Sequence, residues 1–475
     1  MSTAVNVLYT IEAADLLTPV SAFLKLAPLS NSPFRMLFES VEGGASRGRY
    51  TVIALRPDWV WRCRNGHATL DGNPIDGNPL NTLNTLVEQS ALALPPELPP
   101  MIGGVFGVLG YDMVRQMEHL PNAPHDDLGL SEGIMIRPSL FAVFDAVRDE
   151  LTLAVPIREG MTQANAKVLL DEARAALNAP LDYTPPRLPA GAQLREPVSN
   201  ISQQDFENGV RRAQEYIAAG DAFQIVPSQR FTTEFPLPAL ELYRSLRRVN
   251  PAPFLFLLEM DEYALIGSSP EILVRLRDQT VTVRPLAGTR PRGNSRAEDI
   301  ALEEELLADQ KERAEHLMLI DLGRNDVGRV AQHGSVRVPD QFVVERYSHV
   351  MHISSTVTGT IAKGKTAKDA LIAAFPAGTL TGAPKIRAME IIDELEPTRR
   401  GPYAGCIGYF GADGQMDTCI GLRMGLLHNG KLHVQAGCGV VADSDPHAEF
   451  LETKAKARAV LTAAENAIKN ASQQS

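Results

Sequence analysis

Apolar positions along the chain follow two rhythms. In residues 164–177, 202–219 and 298–320 they recur with helical spacing among alanines, leucines and charged residues, which predicts three helices. Residues 385–394 continue that rhythm behind Pro384, a residue suited to the first helical position, where its missing N–H is not needed. Short β-branched and aromatic runs at 50–55, 141–146, 263–266 and 280–284 read as strands, and 350–357 alternates with strand period. Many strands with interspersed helices and no regular βαβ rhythm predict an α+β fold.

One stretch obeys neither rhythm. Leu177-Asn-Ala-Pro-Leu-Asp-Tyr-Thr-Pro-Pro-Arg-Leu-Pro-Ala-Gly191 crowds prolines that block both helix and central strand. The predicted organisation is therefore an N-terminal part over 1–177, a linker over 178–197, a C-terminal part over 198–467 and a polar tail over 468–475. At 475 residues, 44% of them hydrophobic and 22% charged, the chain is long enough for two to three domains with a large core. A net charge of −11 argues against general nucleic-acid binding, although a local site can oppose the global field. The four cysteines show neither a CxxC pair nor zinc spacing and read as reduced core residues. Met1 to Val5 lack the start of a leader peptide and no apolar run spans a bilayer, so a cytoplasmic location is expected.

Three late segments carry the candidate chemistry. His447-Ala-Glu-Phe-Leu-Glu-Thr-Lys-Ala-Lys456 sets Glu449, Glu452 and Lys456 at i, i+3 and i+7, one stripe of a helix. Two carboxylates and an ammonium there suit Mg²⁺ and an anion, and the same spacing also serves a salt-bridged solvent face. Glu312 and Glu315 form a second acidic pair on the 298–320 helix. Phe375-Pro-Ala-Gly-Thr-Leu-Thr-Gly-Ala-Pro-Lys385 is a glycine-rich turn that opens a helix but lacks P-loop spacing. Gly437-Cys-Gly-Val-Val-Ala442 matches the dinucleotide pattern, yet Asp443-Ser-Asp-Pro446 follows it as a turn and helix cap, so these glycines read as points where backbone amides approach a substrate. His352 fits a buried strand position as well as a site. Arg423 fits an ion pair as well as a carboxylate clamp.

Together these segments resemble the chorismate-utilising enzymes, and among them the anthranilate synthase component I type. The resemblance runs from Leu37-Phe-Glu-Ser40 to Lys456. It is densest in Gly267-Ser-Ser-Pro-Glu271, Pro285-Leu-Ala-Gly-Thr-Arg-Pro-Arg-Gly293, residues 311–326, Met351-His-Ile-Ser-Ser355, Gly378-Thr379 and Gly401-Pro-Tyr-Ala-Gly405. It implies a large mixed α/β sandwich with antiparallel-rich sheets, an N-terminal regulatory part and a C-terminal chorismate-binding part. By motif, Glu315 and Glu452 resemble the Mg²⁺ ligands, with Glu312 and Glu449 as their acid/base companions. Tyr403 and Arg423, with the Gly437 and Gly439 amides, resemble the holders of the enolpyruvyl carboxylate. Lys456 and Thr379 fall among the substrate-binding segments, and His352 and Thr289 near the ring.

Two positions separate branches of that family. Aminodeoxychorismate synthases typically carry a nucleophilic lysine where this chain has Ala287, and isochorismate and salicylate synthases carry a water-activating lysine where it has Gln224. The resemblance therefore implies ammonia as nucleophile and anthranilate and pyruvate as products. The same-class alternatives are a synthase that stops at 2-amino-2-deoxyisochorismate and an aminodeoxychorismate synthase. A catalytically silent tryptophan-sensing module is the alternative of a different class. No thiol elbow of a glutaminase is present, so a separate glutamine amidotransferase subunit is implied. Glu39 and Ser40, with Pro253, Phe254 and Leu255, resemble the family's tryptophan feedback pocket, although Phe38, Ala252, Phe254 and Leu255 stand where Leu, Ser, Tyr and Met are usual.

Overall fold

The structure, a computed structural model, describes residues 6–42, 46–347 and 350–473. Met1 to Val5, read above for a leader, and the last two residues of the expected tail lie outside them. Two long antiparallel strands, Ser46–Arg64 and Gly133–Asp145, organise the sheet. Their register runs from Tyr50↔Asp145 to Leu55↔Leu140, shifts between Pro57 and Trp59, and resumes to Cys63↔Gly133. Arg56 sits at φ 55° beside this bulge. A bulge bends and twists a ribbon, and here each half joins different neighbours.

The first half pairs with Arg35–Glu42, and the sheet continues through Phe254–Glu259, Ala264–Ser269, Met424–His428, Lys431–Gly437 and Ser228–Glu234. The second half pairs with Val105–Leu109, and the sheet continues through Cys406–Phe410, Met416–Ile420, Ile272–Arg277, Thr280–Val283 and Val350–Thr360. Leu286–Pro291 and Arg337–Arg346 both pair with the last of these. Among the described residues every ladder between named strands is antiparallel. In both runs strands from before the proline-rich stretch pair directly with strands from after it, Arg35–Glu42 with Phe254–Glu259 and Val105–Leu109 with Cys406–Phe410, and residues 180–197 hold no helix or strand.

Side chains alternate between two cores. Met36, Ala54, Phe256, Leu258 and Leu265 join a cluster with Phe106, Val274, Leu276 and Val281 from the second run. Their neighbours Leu37, Ile53, Leu257 and Ile266 point the other way, into a cluster with the helices Pro19–Leu26, Gln163–Asn178, Ala239–Val249 and Pro446–Gln473. A strand buried on both faces reads as a continuous apolar run, as Phe254-Leu-Phe-Leu-Leu does. Each such fully buried side chain contributes about 1.5–3 kcal/mol of burial free energy.

Three local expectations are corrected. The single helix expected over 298–320 is two, Arg296–Ala308 and Gln310–Gly328. Asp309 breaks it, because its carboxylate accepts from the Lys311 and Glu312 amides at 3.0 and 3.2 Å and caps a new helix. Pro384 is not the first helical residue but the extended residue before Lys385–Leu395. Residues 468–473, expected as tail, continue the helix Pro446–Gln473 and bury Ile468 and Ala471.

Candidate active site

The last helix begins where Asp445 accepts the Ala448 amide at 2.8 Å, which stops the chain from extending the preceding strand and aims Glu449, Glu452 and Lys456 inward. The helix Gln310–Gly328 packs on Leu286–Pro291 and Val350–Thr360 and presents Glu312 and Glu315. Between these elements lies a cleft of about 550 Å³. Its walls include all twelve residues expected to take part in substrate, metal or acid/base chemistry. Glu312, Glu315, Glu449, Glu452 and Lys456 come from the two helices, and Thr289 and His352 from the strands between them. Thr379, Tyr403, Arg423, Gly437 and Gly439 come from turns and strand ends. Ala287 and Gln224, the two discriminating positions, also line it.

The carboxylates crowd one another. Burial raises the Glu315 carboxyl to about 7, and repulsion from Glu312, Glu449 and Glu452 adds to the shift. Burial also raises Glu312, against the pull of Arg290, and raises Glu449. Glu449 accepts the Ser444 hydroxyl at 2.7 Å on one oxygen, while its other oxygen is buried without a hydrogen-bond partner. Lys456 pairs with Glu452 at 2.6 Å and donates to the Gly437 carbonyl at 3.0 Å.

His352 is uncharged at neutral pH, since burial and the cations Arg423 and Lys456 hold it at about 4. Its Nδ1 lies 2.8 Å from the Gly288 carbonyl and 3.2 Å from the Thr289 hydroxyl. A carbonyl only accepts, so Nδ1 carries the proton and Nε2 is left as an acceptor. The register of Leu286–Pro291 slips between Ala287 and Arg290, with Gly288 at φ 63°, and this bulge turns that carbonyl toward the imidazole. Arg423 holds a left-handed backbone at φ 53° and donates to the Lys456 carbonyl at 3.0 Å. At Gly437 an added Cβ would lie 2.8 Å from the Pro227 carbonyl and 3.1 Å from the Tyr403 hydroxyl, so only glycine leaves its amide open here.

The motif Gly267-Ser-Ser-Pro-Glu271 carried a residue to which no role was given. Glu271 is 7% exposed and lines the cleft. Burial raises its carboxyl to about 8, against a hydrogen bond from Thr379. The signal available in the sequence was the carboxylate following Ser-Ser-Pro at a strand end. Its burial was not legible there.

The expected tryptophan residues lie elsewhere. Ser40 and Glu39 are directly opposite Phe254 and Leu255 on adjacent strands. Successive strand residues face opposite sides. Glu39 points into the helix Ala239–Val249, where its carboxylate receives Arg247 at 2.7 and 2.9 Å and the Tyr243 hydroxyl. The Ser40 hydroxyl donates to the Tyr50 carbonyl at 3.0 Å on the other side. Pro253 and Phe254 are half-buried beside it.

The model of the chorismate binding enzyme family matches residues 35–462. The chain belongs to the chorismate-binding enzyme family. The anthranilate synthase component 1 of Cereibacter sphaeroides is 50% identical over 476 residues, covering 97% of this chain and 95% of the relative. That of Thermus thermophilus is 46% identical over 455 residues, covering 96% of each. Among solved structures, anthranilate synthase component I from Streptococcus pneumoniae superposes with a TM-score of 0.79 at 37% identity, covering 87% of this chain and 92% of that one. A menaquinone-specific isochorismate synthase from Escherichia coli shares the fold, with a TM-score of 0.73 at 19% identity over 96% of this chain and 94% of that one. The expectations of fold class and family drawn from the sequence agree with these likenesses. Among the described residues no helix is long and apolar enough to cross a membrane.

Proposed function

We propose that this member of the chorismate-binding enzyme family converts chorismate and ammonia to anthranilate and pyruvate, as the large subunit of an anthranilate synthase working in the cytoplasm. The observation that carries this reading is a cleft with a full set of acid, base and carboxylate-binding groups but with Ala287 and Gln224 where other branches place a reactive lysine. The two lysines that line the cleft are committed, Lys456 to Glu452 and the Gly437 carbonyl and Lys311 to Asp443 at 3.4 Å. The nucleophile must then come from outside. The full-length likeness to proteins named anthranilate synthase component 1 supports the same reading.

Each of the reaction's two steps needs one proton given and one taken. Ammonia forms a bond to ring carbon C2, the double bonds shift and the C4–O bond breaks. Glu271, protonated below about pH 8, gives its proton to the departing hydroxyl, which leaves as water, and the new ammonium at C2 releases one proton that restores the acid. The second step removes the hydrogen from C2 as a proton and breaks the C3–O bond, so that the ring becomes aromatic and the enolpyruvyl group leaves as the enolate of pyruvate, whose methylene carbon takes up a proton to give pyruvate. His352 accepts that hydrogen through Nε2. Thr289 and the Gly288 carbonyl fix the imidazole through Nδ1. Tyr403, Arg423 and the Gly437 and Gly439 amides hold the side-chain carboxylate, with Thr379 and Lys456 beside them.

The donor set fits a divalent cation. Four carboxylates repel one another in the cleft, and one Glu449 oxygen lacks any partner. Glu315 and Glu452 would hold Mg²⁺, with Glu312 and Glu449 beside them, through oxygen ligands such a hard ion prefers. When bound it neutralises the ring carboxylate of chorismate. A glutamine amidotransferase subunit supplies the ammonia, and tryptophan acts as feedback inhibitor at Glu39, Ser40, Pro253, Phe254 and Leu255. The test is incubation of the chain with chorismate, Mg²⁺ and ammonium, followed by anthranilate fluorescence. A non-aromatic aminated product, or none, would contradict the reading.

A further inference from the structure

Beneath the cleft floor, Arg400 and Glu396 form an ion pair with side chains 1% and 4% exposed. Neither residue lines the cleft, yet their bonds reach the wall residue Leu380 and the segments beside Gln224 and Gln435. Arg400 grips Glu396 through Nε at 3.0 Å and Nη2 at 2.6 Å. Its Nη1 donates to the Leu380 carbonyl at 2.7 Å and its Nη2 to the Val226 carbonyl at 2.7 Å. The guanidinium lies 5.6 Å from the Tyr403 ring centre and 4.8 Å from that of Tyr111. Glu396 in turn accepts both the amide and the hydroxyl of Ser228 at 2.8 Å, and Ser228 accepts from Gln435 at 2.8 Å.

The targets are informative. Leu380, Tyr403 and Gln435 line the cleft themselves, and Val226 and Ser228 flank Pro227, three residues past the cleft residue Gln224. Backbone pairing already joins the 224–228 segment to 381–383 and to 437–440, and the planar fork adds the bonds that tie Leu380, Val226 and, through Glu396, Ser228 to the turn that carries Tyr403. An ammonium could not serve all these partners, because its donors are tetrahedral and it lacks the in-plane geometry. Desolvating two charges adds little net stability when a pair is compared with apolar residues. A buried pair wired to four walls of one site therefore points to alignment.

We propose that the buried Arg400–Glu396 pair is the positioning device of the chorismate site, holding the Thr379–Leu380 turn, Tyr403, the Gln224 segment and the Gly437 strand end in one register. This rests on the proposed function. A displacement of about 1 Å in such walls costs on the order of a hundredfold in rate.

The test compares wild type with Arg400→Lys and with Arg400→Met/Glu396→Gln, which removes both charges but keeps an acceptor for Ser228. Melting temperature, chorismate affinity by calorimetry without ammonia, and KM and kcat for each substrate are measured. Both variants should fold, bind chorismate at least tenfold more weakly and lose about a hundredfold in kcat/KM for chorismate, with KM for ammonium nearly unchanged. A folded variant with wild-type chorismate affinity and kcat would overturn the inference. So would unfolding of both, since the pair would then serve the fold and not the alignment. A wild type inert toward chorismate would instead overturn the proposed function.

Discussion

The Thr379 hydroxyl donates to the Glu271 carboxyl at 3.0 Å, joining a turn and a strand end that are 108 residues apart. A buried carboxyl held this way stays protonated at neutral pH, because burial outweighs the hydrogen bond. Glu271→Gln should lower kcat about 10²–10⁴-fold, the usual contribution of a general acid. It should also stabilise the fold at high pH. In wild type the folded state binds the proton up to about pH 8, while the unfolded chain releases it near the ordinary glutamate value of about 4.3. Stability therefore falls as pH rises between those values. Melting curves at pH 6 and pH 9 should show the variant gaining more at pH 9. An equal effect at both would contradict the buried acid.

The pH dependence of catalysis follows from the same two groups. His352 is a free base above about pH 4 and Glu271 an acid below about pH 8. Rates plotted against the concentration of free ammonia, not total ammonium, should rise to a plateau and fall above about pH 8. In Glu271→Gln the alkaline fall should vanish from the residual rate. A profile that keeps rising through pH 9 in wild type would exclude Glu271 as the acid.

Glu315→Gln and Glu452→Gln each remove one anionic oxygen donor with little change of volume. Both should lose Mg²⁺-dependent turnover while their melting temperatures stay near that of wild type. Metal titrations followed by calorimetry should show weakened binding in each. Near-normal turnover at ordinary Mg²⁺ in either would show that the ligand lies elsewhere.

The nitrogen-entry claim is tested at Ala287. This residue lines the cleft at the bulge that turns Gly288 toward His352. Ala287→Lys places a desolvated amine where ammonia must approach C2, and such an amine can itself act as nucleophile. Anthranilate formation should drop at least tenfold, with a covalent chorismate-derived adduct detectable by mass spectrometry. Unchanged production would show that the side chain does not face the ring.

Tryptophan should inhibit wild type, and Ser40→Phe should shift the inhibition curve to higher tryptophan, each curve being normalised to its own uninhibited rate. Ser40 packs directly on Gly48, where an added Cβ would lie 2.2 Å from its hydroxyl, so a phenyl ring has to occupy space on the Phe254 side. Because Arg247 already holds the Glu39 carboxylate, an amino-acid ligand must compete with that pair. Identical curves would place the inhibitor elsewhere.

The cleft was more legible in the sequence than the sheet around it. Glu312, Glu315, Glu449, Glu452 and Lys456 declared themselves by helical spacing, which survives any tertiary arrangement. The strand expected at 50–55 was only the middle of Ser46–Arg64, because Arg56, Pro57 and Asp58 break the apolar pattern at the bulge. The helix expected through 309 failed because a capping carboxylate outweighs periodicity at one residue. Glu396 and Arg400, four apart, have the spacing of an ordinary surface pair. That they lie buried depends on Val226 and Leu380, which are remote from them in sequence, and on how the turn after Arg400 folds Tyr403 back beside the guanidinium. Glu271 was likewise invisible as an acid, since its protonation is set by what covers it.

The most direct test of the whole account is product stoichiometry. The purified chain, given chorismate, Mg²⁺ and ¹⁵N-ammonium, should form ¹⁵N-anthranilate and pyruvate in equal amounts, and should form neither from glutamine until an amidotransferase subunit is added. Isochorismate, an aminated product without pyruvate, or glutamine-dependent anthranilate from the chain alone would contradict it.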